Sequence, residues 1–176
     1  MLETLVTAGQ TLFVLWVVLF VHELGHYYTA RQIVEIPAGD IKLVSPLFPR
    51  YVALRDGDEW VSPTAFERYR KLYERYDPAY EHFERYVAGG EIVQALVIVP
   101  AAVALALAGL DGVATGLLFF SMLTTLLYVA FDAVWTRRRG EPSGDYSALW
   151  AVSPRIPALL LVGFLFVHLG AFYFVV

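Results

Sequence analysis

The chain has 176 residues, of which 58% are hydrophobic and 15% aromatic, with no cysteine and a formal charge of −4. Average soluble domains are roughly 45–50% apolar, so this composition argues against an ordinary cytosolic globule and excludes a disordered chain. The lack of cysteine excludes a disulfide-stapled secreted module and leaves histidine and carboxylates as ligands for any metal. An isoelectric point near 5.5 argues against nucleic acid as a partner.

Four apolar segments are long enough to cross a membrane as helices. A span needs about 20 mostly apolar residues, and residues 5–30, 91–110, 112–135 and 156–176 meet this requirement. The first segment lacks the basic leading region of a signal peptide, so we expect a retained helix. The sequence therefore predicts an all-α polytopic membrane protein with four transmembrane helices, forming a single domain over residues 1–176.

The basic residues lie on one side of such a bundle. All 13 Lys and Arg fall between Arg31 and Arg85 or between Arg137 and Arg155, in the two connections that a four-span chain places together. The positive-inside rule assigns that side to the cytosol. We therefore expect an integral protein of the cell membrane, embedded in the lipid bilayer, with both termini outside.

The first connection, residues 34–88, is predicted to hold a small cytosolic insert. Alternating segments around an Asp-Gly pair predict a β-hairpin, with one further strand before it. These segments are residues 41–44, 51–55 and 58–61, with the turn at Asp56-Gly57. An amphipathic helix is predicted from Ser62-Pro63 onwards, interrupted at Asp77-Pro78. We expect this helical pair to pack on the hairpin or lie at the membrane surface; a homodimer seam and an active-site lid are the alternatives.

The segment His22-Glu23-Leu24-Gly25-His26 is a His-Glu-x-x-His motif in the second half of the first span. Residues four apart share one helical face, so both imidazoles can bind one metal ion. Glu23 lies beside them, where it can act as general base toward a water molecule that the metal activates. Because ionisable residues inside a span are rare and usually functional, the motif predicts a catalytic zinc site with Glu23 as the catalytic base.

A catalytic zinc ion typically has three protein ligands and one open position, so the motif leaves one ligand to be found. Candidates on the cytosolic side are Asp145, Asp132 and Glu91. Asp145 follows a Pro-Ser-Gly segment that can turn back toward the bundle, Asp132 lies in the last turns of the third span, and Glu91 begins the second. This placement favours Asp145. His168, inside the last span, is more typical of a hydrogen-bonded bundle residue than of a ligand.

The segment FVHELGHYYTAR resembles the zinc motif of the site-2 proteases, which are intramembrane metalloproteases. Residues 90–94 (GEIVQ) are similar to the Gly-x-x-x-Asn-like element of that family, with Gln94 in the amide position. Residues 142–145 (PSGD) are similar to its third-ligand element, and a β segment also follows the zinc helix in that family. The resemblance implies that Asp145 is the third zinc ligand and that Gln94 binds the substrate backbone. The chain contains no Asn, and Tyr146 follows Asp145, so it resembles a divergent member.

Together these features predict a zinc metalloendopeptidase, with its zinc site toward the cytosol, that cleaves transmembrane or membrane-adjacent protein substrates. Two alternatives stay open. A membrane metalloprotease with Glu91 as third ligand would cleave juxtamembrane segments and would lose zinc on Glu91→Ala. A non-catalytic membrane protein would bind zinc for structure or transport, and a structural site would be closed by four protein ligands.

Overall fold

The structure is a computed structural model that describes residues 2–45 and 51–176 (backbone only for residues 2 and 3). In chain order its elements are α1 (Leu2–Gln32), β1 (Ile41–Val44), β2 (Tyr51–Asp56), β3 (Glu59–Val61), α2 (Phe66–Tyr73), α3 (Phe83–Leu107), α4 (Asp111–Arg139), α5 (Asp145–Val152) and α6 (Arg155–Val175). Helices α1, α3, α4 and α6 are long and apolar enough to cross a membrane. The prediction of four such helices with a small β insert is confirmed.

Helix α3 begins at Phe83 rather than near residue 91. The helix is continuous through Gly89 and Gly90 into the apolar segment, and Tyr86 and Val87 are buried together with the insert. Glu91 therefore lies well inside α3 instead of at its start. The predicted interruption of the amphipathic segment at Asp77 is present, since α2 ends at Tyr73.

The three strands form one antiparallel sheet of order β1-β2-β3. Asp56 pairs with Glu59, so the hairpin turn consists of Gly57 and Asp58, one residue later than predicted. Gly57 has a φ of +63°, a conformation that glycine adopts without a steric penalty at the first position of a two-residue turn. The hairpin and the additional strand are confirmed, and α2 packs on β2, where the Tyr69 hydroxyl donates to the carbonyl of Val52 at 3.1 Å.

The buried apolar residues form two clusters along α1. One joins α1, α3, α4 and α6 and includes Val18 and Val21. The other joins the end of α1 to the sheet, α2, the start of α3 and α5, and includes Ala30 and Val34. The His-Glu-x-x-His motif lies between Val21 and Ala30, at the junction of the two clusters. A polar site there is enclosed by apolar packing from both directions.

Asp77 organises the turn between α2 and α3. Its carboxylate accepts hydrogen bonds from the backbone N–H groups of His82 (2.8 Å) and Glu81 (2.9 Å) and from the Tyr73 hydroxyl (2.8 Å). Burial by itself raises the pKa of Asp77, but these donors outweigh it and hold the pKa below its usual value. The ionised carboxylate is therefore the form that this turn binds.

We expect this turn to open in acid. The pKa of Asp77 is lower in the folded protein than in the unfolded chain, so its stabilisation is complete above the unfolded value of about 3.9. It is lost as the pH falls through the folded value. Amide hydrogen exchange of Glu81 and His82, corrected for intrinsic rates, should show protection that falls in this acid range. Asp77→Asn should lower the protection already at neutral pH and flatten the profile; an unchanged acid profile in the variant would contradict the assignment.

Candidate metal centre

His22, His26 and Asp145 direct one ligand atom each toward a common point. The Nε2 atoms of His22 and His26 are 3.2 Å apart. Oδ2 of Asp145, the first residue of α5, lies 3.1 Å from Nε2 of His26 and 3.4 Å from Nε2 of His22. Tetrahedral zinc with ligand distances of about 2.0–2.2 Å separates its ligand atoms by about 3.3 Å. These three side chains can therefore hold a metal ion, and their spacing suits a tetrahedral site.

Each imidazole is oriented by an acceptor on α3. Nδ1 of His22 donates to Oε1 of Gln94 at 2.9 Å, and Nδ1 of His26 donates to the carbonyl oxygen of Tyr86 at 3.2 Å. Neither acceptor carries a hydrogen, so the hydrogen of each neutral ring lies on Nδ1 and the lone pair of Nε2 faces Asp145. Two lone pairs and a carboxylate oxygen repel one another unless a cation lies between them. Such orienting partners are typical of metal-binding histidines.

Helices α1 and α3 approach closely at this site because glycines occupy the contact. A Cβ atom on Gly25 would lie 2.9 Å from the carbonyl carbon of Gly89, and one on Gly90 would lie 2.8 Å from Nε2 of His22. Any larger side chain at Gly25 or Gly90 would push the helices apart or displace the imidazoles. Gly90, which opens the GEIVQ segment, and Gly89 before it thus have a direct packing role.

Asp132 holds the start of α5 in place. This buried carboxylate of α4 accepts hydrogen bonds from the backbone N–H (2.7 Å) and hydroxyl (2.6 Å) of Ser147 and from the Thr136 hydroxyl (3.0 Å). The Tyr128 hydroxyl accepts the backbone N–H of Asp145 at 3.1 Å. A carboxylate near a helix N-terminus also interacts favourably with the helix dipole. Asp132 therefore serves as a cap that presents Asp145 to the histidines, and its own carboxylate is used in that cap.

Two further residues singled out in the sequence lie near the centre. Glu91 is buried, and its Oε2 accepts a hydrogen bond from the Thr125 hydroxyl at 3.2 Å. Among the described residues, the group that can hold a metal consists of the two motif histidines and Asp145, so the geometry favours Asp145 over Glu91 and Asp132. His168 is buried and hydrogen-bonded at both ring nitrogens, as expected for a bundle residue.

A cavity of about 240 Å³ opens beside His26. Glu23, His26 and Asp145 line it, together with Tyr51 and Val52 of β2. The charge of Glu23 lies within electrostatic reach of both motif histidines and of Asp145. A substrate backbone in this cavity would therefore contact the candidate base and the candidate metal group together.

Among the described residues, the first half of β2 has no strand neighbour on its β3 side, but the Val52 carbonyl already accepts the Tyr69 hydroxyl there at 3.1 Å. The short strand β3 pairs with residues 54–56, so Tyr51 and Val52 have no partner in β3. The chain leaves the sheet through Pro63 and Thr64, which also line the cavity. An extended peptide adds to a strand edge by main-chain hydrogen bonds, and here it would take the place of the Tyr69 hydroxyl.

Comparison with protein-family models, with curated proteins and with solved structures finds no match to this chain. What the centre can do chemically therefore follows from its own residues. Two imidazoles and one carboxylate form a donor set that suits zinc and other first-row divalent metals. Three protein ligands leave a position open for a reacting molecule.

Sequence reasoning missed the polar side chains that support the centre. Ser121, Thr125 and Ser147 were not singled out, and Asp132 was considered only as a ligand. A signal existed for two of them, because Ser121 and Thr125 lie four residues apart and share one face of an otherwise apolar helix. No local pattern indicates that this face meets Gln94, whose amide nitrogen donates to Oγ of Ser121 at 2.9 Å.

Proposed function

We propose that this protein is an intramembrane zinc metalloprotease of the site-2 protease type, which hydrolyses peptide bonds of transmembrane or membrane-adjacent proteins. One observation carries the proposal: His22, His26 and Asp145 converge with ligand separations that suit zinc, and Glu23 lines the cavity beside them. An open fourth position is the mark of a catalytic zinc site, whereas a structural site uses four protein ligands. The resemblance of the HELGH segment to the family motif supports the same assignment.

In this proposal α1, α3, α4 and α6 cross the lipid bilayer, and the sheet, α2 and α5 lie on the cytosolic side. Large apolar side chains are exposed on the outer faces of the long helices, where lipid would cover them. They include Leu96, Phe131, Leu159, Phe166 and Tyr173. The basic stretches flank one end of the bundle and favour an orientation with both termini outside. The metal group then lies toward the cytosolic end of α1, close to water.

When bound, zinc supplies Lewis acidity that activates water and polarises a peptide carbonyl. Glu23 takes the proton of the attacking water, whose oxygen bonds to the carbonyl carbon. The same carboxyl group then delivers that proton to the amide nitrogen as the C–N bond breaks. His22 and His26 keep their hydrogens on Nδ1, held by Gln94 and by the carbonyl of Tyr86. Both rings therefore remain neutral ligands during the reaction.

A substrate segment must leave its helical form before its peptide bonds can be attacked, because a helix hides its backbone. We propose that the unwound segment adds to β2 at Tyr51 and Val52, which line the same cavity as Glu23, and takes the place of the Tyr69 hydroxyl at the Val52 carbonyl. Contact between Gln94 and the substrate stays a prediction. The Gln94 side chain is buried and its amide bonds to His22 and Ser121.

The test is cleavage by the purified full-length protein in proteoliposomes. The probe is a set of reporter proteins, each with one transmembrane segment containing helix-destabilising Gly residues, and products are mapped by mass spectrometry. We expect cleavage within or next to the segment, abolished by the chelator 1,10-phenanthroline and restored by zinc but not by calcium. Cleavage that survives metal removal would contradict the proposal. Zinc binding without cleavage of any reporter would favour the non-catalytic alternative.

A further inference from the structure

A line of buried polar side chains leads from α6 to the metal group. His168 and Ser121 are 0% exposed and Gln94 is 2% exposed. Ser121 Oγ lies 2.8 Å from Nε2 of His168 and 2.9 Å from Nε2 of Gln94, whose Oε1 lies 2.9 Å from Nδ1 of His22. The four residues come from α6, α4, α3 and α1. Polar groups are costly to bury unless each is paired, and here each is paired with the next in a single continuous line.

The hydrogen bond between His168 and the Phe164 carbonyl, at the α6 end, fixes the donor and the acceptor of every other hydrogen bond in this line. The carbonyl of Phe164 can only accept, so Nδ1 of His168 carries the hydrogen and donates to it at 2.9 Å. Nε2 of neutral His168 is then an acceptor, and the Ser121 hydroxyl donates to it. The Ser121 oxygen keeps a lone pair for the amide nitrogen of Gln94. The amide oxygen of Gln94 must therefore face His22, whose Nδ1 donates.

Two further acceptor atoms on α4 reinforce the amide orientation of Gln94. Its Nε2 also lies 3.4 Å from the carbonyl oxygen of Ser121 and 3.5 Å from Oγ1 of Thr125. The Thr125 hydroxyl donates its hydrogen to Glu91 and so faces Gln94 with a lone pair. If the amide were flipped, its oxygen would face these acceptor oxygens with no hydrogen between them. Buried acceptors left without a donor are energetically unfavourable.

We propose that His168 and Ser121 are positioning residues for metal binding. Through Gln94 they keep His22 in the tautomer with the hydrogen on Nδ1, which leaves Nε2 free for the metal. This inference rests on the metal centre of the proposed function but not on proteolysis. Outer-shell partners of metal-binding histidines typically change metal affinity about 10–100-fold. His168 and Ser121 act through one or two intervening side chains, so we expect an effect near the lower end of that range.

Zinc dissociation constants of full-length protein in detergent micelles, measured against a competing chelator, test the proposal. Ser121→Ala and His168→Phe should weaken zinc binding about 10-fold. His168→Gln, whose amide oxygen can accept from Ser121, should restore part of the affinity. The matched control is Thr124→Ala on the same helix, because the Thr124 hydroxyl donates to the backbone carbonyls of Phe120 (2.7 Å) and Ser121 (3.1 Å). This control should bind zinc like the wild type.

Cobalt substitution gives a second readout that general loss of stability would not produce. The visible absorption of bound Co(II) reports the ligand geometry, and we expect it to change in Ser121→Ala and His168→Phe but not in Thr124→Ala. Wild-type zinc affinity and a wild-type cobalt spectrum in both Ser121→Ala and His168→Phe would overturn the inference. A loss of zinc affinity in Thr124→Ala as large as in these two variants would also overturn it. If Ser121→Ala or His168→Phe fails to fold, the other of the two, compared with His168→Gln and with the wild type, decides. A wild-type protein that binds no zinc would instead overturn the proposed function.

Discussion

Glu23→Gln is expected to abolish peptide cleavage while leaving zinc binding intact. Glutamine has the size and shape of glutamate but cannot take a proton from water, and loss of a general base lowers rates about 10²–10⁴-fold. Glu23 is not one of the three residues whose ligand atoms converge, so metal binding does not depend on its charge directly. The measurements are initial rates with the transmembrane reporters and zinc content by mass spectrometry of the purified protein.

The matched control for this variant is Glu81→Gln, which removes the same charge at an exposed position outside the cavity. It should cleave at the wild-type rate. Zinc-loaded Glu23→Gln protein that retained full activity would exclude Glu23 as the base. If the variant lost both zinc and activity, Glu23 would be required for zinc binding. Its assignment as a base separate from the three ligands would then be wrong.

Asp145→Ala is expected to weaken zinc binding more than about 100-fold, beyond the range typical of outer-shell partners. The variant removes one of three ligand atoms and leaves two neutral imidazoles, which hold a divalent cation poorly without a carboxylate. Asp132→Asn should give a smaller loss, because it weakens the cap that positions Asp145 but leaves the ligand present. The measurement is the zinc dissociation constant by chelator competition, paired with thermal melts of the metal-free proteins.

Glu91→Gln is the comparison that separates the two third-ligand hypotheses. If Asp145 is the ligand, Glu91→Gln should weaken zinc binding by no more than about 10–100-fold, the range typical of outer-shell partners. Glu91 is buried beside Thr125 and is not part of the ligand group. Wild-type zinc affinity in Asp145→Ala together with a large loss in Glu91→Gln would establish the alternative. Cleavage would then be expected in juxtamembrane segments of the reporters.

The local features of the site were readable from the sequence because they depend on short-range geometry. The spacing of His22 and His26 places both rings on one face of any helix, and the apolar run around them predicts that helix. The hairpin was readable for the same reason, since an Asp-Gly pair between alternating segments requires a tight turn. Its position was wrong by one residue because both Asp56 and Asp58 flank Gly57, and only the strand register decides which of them belongs to the turn.

The start of α3 was not readable, because an amphipathic helix and an apolar span share the same period. The predicted stripe ends at Val87, and the Gly89-Gly90 pair after it is a helix-breaking signal in the sequence, whereas in the structure the helix runs through both glycines where they contact α1. Hydropathy therefore marks where the apolar run begins and not where the helix begins. That difference matters for the site. It brings the carbonyl of Tyr86, within the helix, to Nδ1 of His26.

By itself the sequence indicated two histidines that could hold a metal, placed Glu23 beside them as a candidate base and predicted four helices apolar enough to span a membrane. It left three carboxylates as candidates for a third ligand. Only the tertiary structure brings one of them, Asp145, together with the two histidines. Asp145 lies 119 residues from His26 along the chain, and its approach depends on how Asp132 caps α5. The line from His168 to His22 depends in the same way on the rotation of four packed helices. Helix rotation and long-range approach are set by the packing of the whole bundle, which no local spacing encodes.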